Sequence, residues 1–206
     1  MSNLDHLVLA TPNLVETVRT VRETLGVSPA EGGRHPRFGT RNFLLGLGDG
    51  GYLEIIGVDP DQLPPRRPRP FGLDELTEPR LVTWAAQVNG IDAAVSTARA
   101  AGFDPGEVSQ MSRATSEGRL LEWRLTLSPD GTHHGVIPFL IDWGTTRHPS
   151  DTLPRATLRS FEAVHPRPAV ASAQLRALSI DLTVHPGVHP ALVAVIEGPA
   201  GAITLL

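Results

Sequence analysis

The sequence predicts an α+β chain assembled from βαβββ units, each a strand, a helix and three further strands. Three observations carry that expectation. A short apolar strand near the N-terminus is followed by helical hydrophobic spacing, and the same order restarts after a proline-rich break. The first two helical stretches stop at glycine and give way to short alternating segments. A third, shorter echo then closes the chain.

The first strand is read in Leu4–Leu9. Asn13 with Glu16 forms an N-cap and capping box, and Leu14, Val18, Val21 and Leu25 recur at helical spacing until Gly26 stops the helix. Strands are expected at Thr40–Leu45 and Gly51–Ile56, with Gly32-Gly33-Arg34-His35-Pro36 as a glycine-rich turn. Residues 1–57 make the first module. Residues 58–79 form a linker in which Pro60, Pro64, Pro65, Pro68 and Pro70 alternate with Arg66, Arg67 and Arg69. Proline at that density supports neither a helix nor an interior strand, so the segment is a crossover or a lid.

The second module spans residues 80–145. Leu81–Val88 is a strand, and Ile91, Ala94, Val95 and Ala98 stripe a helix ended by Gly102. Glu107–Arg113, Leu120–Leu127 and Gly135–Trp143 are its further strands. In Leu120–Leu127 the apolar set belongs under a helix, and Glu122, Arg124 and Thr126 face the opposite, concave side. Residues 146–206 form a truncated third module. Leu158–Val164 is a strand, Pro168 opens a helix carrying Ala171, Leu175 and Leu178, and Ile180–Val184, Ala191–Ile196 and Ala202–Leu205 follow.

At 206 residues with 40% hydrophobic content the chain can bury a substantial core. Cysteine is absent, which removes disulfides, thiolate ligands and a cysteine nucleophile. All 18 basic residues are Arg, so no Schiff-base lysine is available. A net charge of -4 with few aromatics argues against nucleic acid as a partner. No apolar run suits a bilayer and no leader is recognisable, so a cytoplasmic protein without membrane contact is expected. Nucleophile-elbow, phosphate-loop and dinucleotide fingerprints are missing, and no nucleotide cofactor is expected.

The leading chemical signal is one metal-capable side chain on each of two apolar strands, His6 and Glu54. A carboxylate set among Leu53, Ile55 and Ile56 is costly to bury without a cation or a donor. Its plainer partner would be Arg41 or Arg124. His35 and Asn42 are candidates to touch substrate. Arg124 or Arg113 would orient an anionic group, and Trp84 and Trp143 would wall a pocket.

Leu4-Asp5-His6-Leu7-Val8 at the start and Tyr52-Leu53-Glu54 at the close of the first unit resemble the vicinal oxygen chelate superfamily. Gly33-Arg34-His35-Pro36, Gly39-Thr40-Arg41-Asn42, Pro70-Phe71-Gly72-Leu73 and Pro138-Phe139-Leu140-Ile141-Asp142-Trp143 look like its glyoxalase-like domain proteins. The resemblance covers residues 3–145 and extends to the third unit. It implies paired βαβββ modules forming a curved, funnel-shaped mixed sheet with helices outside. In metal-using relatives a divalent ion in the funnel, held from the first and last strands of each unit, binds two neighbouring substrate oxygens. Here the first unit offers His6 and Glu54. Matching strand starts puts Thr83 opposite His6, and matching Gly57 with Gly144 puts Ile141 opposite Glu54. A one-residue shift would instead bring in Asp142 as a third ligand.

The resemblance therefore implies a small-molecule protein with catalytic His6 and Glu54. It would use Mn, Fe, Ni or Zn on His6, Glu54 and Asp142 for lyase, isomerase or dioxygenase chemistry. The competing expectation is a metal-free protein that sequesters a small molecule. Exposed edges in the last module point to a homodimer.

Overall fold

The computed structural model describes residues 4–48, 50–114, 120–127 and 135–206, with the backbone alone at residues 113 and 114. The first unit is β1 (Leu4–Thr11), α1 (Leu14–Leu25), β2 (Ala30–His35), β3 (Thr40–Gly46) and β4 (Tyr52–Val58). The second is β5 (Arg80–Gln87), α2 (Ile91–Ala100), β6 (Glu107–Ala114), β7 (Leu120–Leu127) and β8 (Phe139–Asp142). The remaining elements are β9 (Thr157–His165), α3 (Pro168–Ala177), β10 (Val184–Pro186), β11 (Ala191–Gly198) and β12 (Gly201–Leu205).

Local chemistry sets these elements. The Asn13 side chain accepts the Glu16 N–H at 3.2 Å and caps α1, and Gly26 ends the helix in the left-handed region at φ 71°. A side chain at Gly26 would also meet Ala200 Cβ at 2.8 Å, so the turn and the packing both require glycine there. The run Gly32-Gly33 is part of β2 rather than a turn. The ladder to β3 is irregular between Glu31 and Arg34, and a Cβ on Gly32 would lie 2.2 Å from Asn42 Oδ1. Glycine lets this strand close in on Asn42. Ile180–Thr183 does not form a strand, and pairing begins only at Val184.

The two units share one eight-stranded sheet in the order β2-β3-β4-β1-β5-β8-β7-β6, joined by antiparallel pairing of β1 with β5. The sheet curls until its edge strands β2 and β6 approach each other. Leu7, Leu9, Leu45, Leu53 and Ile55 point to the outer face and pack with Leu14, Val21 and Leu25 of α1 and Ile91 and Val95 of α2. A second sheet, β10-β9-β11-β12, covers that face. Its strand order differs from the 2-3-4-1 order of the first unit, with β9 inside the ladder.

His6, Val8 and Ala10 alternate onto the inner face with Tyr52, Glu54 and Ile56. The proline-rich crossover covers one end of that face: Leu73, 3% exposed, packs on Val8, Ala10 and Ile56. The stretch after β8 covers the other end, tied to β3 by Gly46 N–H to Pro154 O (2.8 Å) and Ala156 N–H to Gly46 O (2.9 Å). Among the described residues no helix is long and apolar enough to cross a membrane.

Candidate functional site

The site begins with a break in the central ladder. Leu4 pairs with Ala86 while His6 pairs with Ala85, so Asp5 is an extra residue on β1. A bulge of this kind re-aims side chains, and here it brings Asp5 beside His6. Asp5 Oδ1 lies 2.6 Å from His6 Nδ1. Its Oδ2 accepts Trp143 Nε1–H at 2.8 Å and meets His148 Nε2 at 3.0 Å.

The carboxyl is fully buried. Burial pushes its pKa up, but hydrogen bonds from His148 and His6, with their charge, more than reverse this and bring it to about 2. Asp5 is therefore an ionised acceptor, and both histidines must present an N–H to it. His148, donating through Nε2, is left to accept at Nδ1, where Ser150 Oγ lies at 2.7 Å and Ser150 N–H at 3.3 Å.

In its neutral form His6, donating through Nδ1, keeps a lone pair on Nε2. That lone pair faces Glu54 Oε2 across 3.8 Å. The other carboxylate oxygen, Oε1, accepts Asn42 Nδ2–H at 2.5 Å, and Asn42 Oδ1 in turn accepts Gly33 N–H at 2.8 Å. Two acceptors therefore face one another in a closed space: His6 is 5% exposed and the Glu54 side chain 12%. Tyr52 stacks on the His6 ring at 4.7 Å between centroids, and Phe139 meets it edge-on at 5.6 Å. The gap is shaped for something that carries a proton or positive charge.

Of the residues singled out from sequence, His6, Glu54 and Asn42 come together, and Trp143 joins them through Asp5. His35 ends β2, with Nδ1 3.0 Å from Thr40 Oγ1. Trp84 is corrected: it is 1% exposed on the outer face, donates its indole N–H to Val136 O and packs edge-on against Phe161. Thr83 and Ala85 take the inner face, so Trp84 between them cannot. Arg124 is also corrected. The apolar set of β7 faces inward, where Leu121, Trp123 and Leu125 pack with Ile141 and Trp143. Arg124 faces out and grips Asp92 of α2 with two bonds of 2.7 and 2.8 Å.

Asp142 likewise stands on the outer side and does not join His6 and Glu54. Its carboxylate accepts the N–H groups of Gly90 and Ile91, at 3.0 and 3.1 Å, at the start of α2. Burial raises its pKa, but those N–H groups, that of Gly144 and nearby Arg124 outweigh burial and hold it below its ordinary value. Arg113 lies on β6, and its side chain is outside the described residues. Sequence reasoning missed Asp5, Tyr52 and His148. The one signal available was the acid directly before His6, and the bulge that makes it useful leaves no mark in composition.

The ladders locate the second unit's counterparts. The helices begin at Leu14 and Ile91, 77 positions apart, and the same step takes His6 to Thr83 and Val8 to Ala85. Val8 pairs with Glu54 and Ala85 pairs with Phe139. The counterpart of Glu54 is therefore Phe139, rather than Ile141. Around the funnel the four equivalent places hold His6, Glu54, Thr83 and Phe139. A hydrocarbon ring stands at one of them, and among the described residues no three His, Cys, Asp or Glu side chains cluster to hold an ion. The donor set does not fit a metal centre with ligands from both units.

A whole-chain superposition on a solved structure agrees with this architecture. A crystal structure of a hypothetical protein from Staphylococcus aureus superposes with a TM-score of 0.67 at 12% identity, covering 98% of each chain. A Streptomyces coelicolor methylmalonyl-CoA epimerase variant bound to 2-nitronate-propionyl-CoA gives 0.46 at 24% identity, over 70% of this chain and 99% of its own. The Mycobacterium tuberculosis methylmalonyl-CoA epimerase gives 0.44 at 18% identity, over 69% and 88%. No curated protein matches the chain. The family model for the glyoxalase-like domain matches residues 4–179. By that match the chain belongs to the glyoxalase-like domain family.

Proposed function

We propose that this chain is a small-molecule enzyme whose chemistry is proton transfer by His6, aided by Glu54, on a substrate carrying neighbouring oxygens. The observation that supports it most is the His6 Nε2 lone pair, fixed by Asp5 and aimed across 3.8 Å at Glu54 Oε2. A carbon acid next to a carbonyl would lie beside this pair, within reach of both Nε2 and Oε2, because 3.8 Å between the two atoms admits no carbon in line. Nε2 takes the proton from the carbon and the electron pair moves onto the carbonyl oxygen. Glu54 carries the substrate's hydroxyl proton across to that oxygen, and return of the first proton to the neighbouring carbon leaves a carbonyl where the hydroxyl was, completing an isomerisation. The imidazolium formed on the way lies between two carboxylates, Asp5 and Glu54. The Glu54 carboxylate accepts the substrate hydroxyl, held in place by Asn42. Dioxygenase chemistry is a poor match for this donor set, because Phe139 and Thr83 stand where the second unit would supply ligands.

A second reading has its own support: the pair is almost wholly covered, and the second unit lines the funnel with apolar side chains. That arrangement would suit sequestration without turnover. Incubation with 1-hydroxy-2-butanone in D2O, followed by NMR, separates the two. Deuterium entering the carbon beside the carbonyl faster than in buffer, and lost in His6→Gln and Glu54→Gln, supports the enzyme. Saturable binding without exchange supports sequestration and overturns the first reading.

A further inference from the structure

A cavity of about 760 Å³ opens between the proline-rich crossover, the start of β5, the end of β7 and Pro190–Leu192. Its volume is that of a small-molecule site. Leu76, Leu125, Phe139 and Leu192 supply apolar lining. The hydroxyl of Thr126, another lining residue, is already engaged by the Leu140 N–H at 3.0 Å. Glu75 and Arg80 are exposed at the rim with opposite signs, so it carries no net charge.

Two further observations tie the cavity to the chemistry. Phe139 both lines it and touches the His6 ring, and Thr83, the counterpart of His6, lines it as well. Phe71, on its crossover wall, adopts φ 66° and ψ 18°. For a bulky aromatic that left-handed conformation is strained, and such strain concentrates at ligand clamps.

We propose that this cavity receives an uncharged apolar segment, an alkyl chain or an aromatic ring, of the molecule whose oxygens meet His6 and Glu54. Phe71 is its outer clamp. The inference rests on the proton-transfer reading only for where the head group sits. The second unit thus recognises what the first unit transforms.

Calorimetric titration of the full chain with 1-hydroxy-2-alkanones, from butanone to decanone, tests it. Affinity is expected to rise about fourfold per methylene until the cavity is full. Phe71→Ala should weaken the longest members about tenfold and leave the shortest unchanged. Phe139→Trp, which fills the inner end, should shorten the preferred chain. Affinity indifferent to chain length, or long-chain binding untouched by both variants, would overturn the inference. Running the deuterium-exchange assay on the unsubstituted chain with the same series keeps the two readings apart. A chain-length slope that survives without exchange sinks only proton transfer, and exchange that survives without a slope sinks only the cavity.

Discussion

The two halves of the curled sheet share a backbone plan and differ in what they place on it. In the first unit the inner face carries His6, Glu54 and Asn42. At the equivalent places the second carries Thr83 and Phe139, with Leu125, Trp123 and Ile141 around them. The second unit's ionic groups are spent on its helix: Arg124 holds Asp92, and Asp142 holds the first N–H groups of α2. The difference teaches that one βαβββ unit can be given to chemistry and its neighbour to shape, because strand alternation sends a charged set to either face by register alone.

The comparison breaks most visibly at the pair itself. His6→Gln should lower isotope exchange about 10²- to 10⁴-fold. Arg124→Gln, on the outer face, should leave exchange unchanged, as measured by the same NMR assay. Next comes an attempt to make the halves alike. Thr83→His with Phe139→Glu would place four donors around the funnel. Elemental analysis should then find stoichiometric divalent metal in the variant and substoichiometric metal in the parent, and added Zn or Mn should raise the melting temperature of the variant alone. Stoichiometric metal in the parent would contradict the division drawn here.

Acid stability isolates Asp5. Its folded pKa of about 2 lies below the ordinary 3.8, so its contribution is complete above that value and is lost as pH falls through about 2. Asp5→Asn should therefore flatten the stability curve across that window by about 2 kcal/mol, seen in denaturant melts at several pH values. The smallest effect is expected at the helix of the second unit. Asp142→Ala should cost about 1 kcal/mol through the lost cap and leave exchange intact.

Much of this was legible before any coordinates. The capped helix at Asn13, its stop at Gly26 and the recurrence of the unit follow from spacing and turn chemistry. His6 and Glu54 were legible as polar residues on apolar strands, and they do converge. What was hidden depends on pairing between distant strands. The facing of β7 could be read either way, because aromatic and aliphatic side chains line this funnel as readily as they sit under a helix. Asp142 was ambiguous for the same reason: one step of register separates an inward ligand from a helix cap. His148 reads as an ordinary residue before proline until the loop is folded over Asp5.

The extra residue in the central ladder has a counterpart. Leu9 pairs with Leu81 while Val8 pairs with Thr83, which leaves Val82 unpaired on β5 just as Asp5 is on β1. The 77-position step links those two residues, so the kink belongs to the repeated unit and only its side chain has been specialised. Protein engineers thus inherit a vacant socket: an acid installed at Val82 would enter a backbone already bent to orient the neighbouring residue, and a second imidazole could be grafted at Thr83 with its anchor in place.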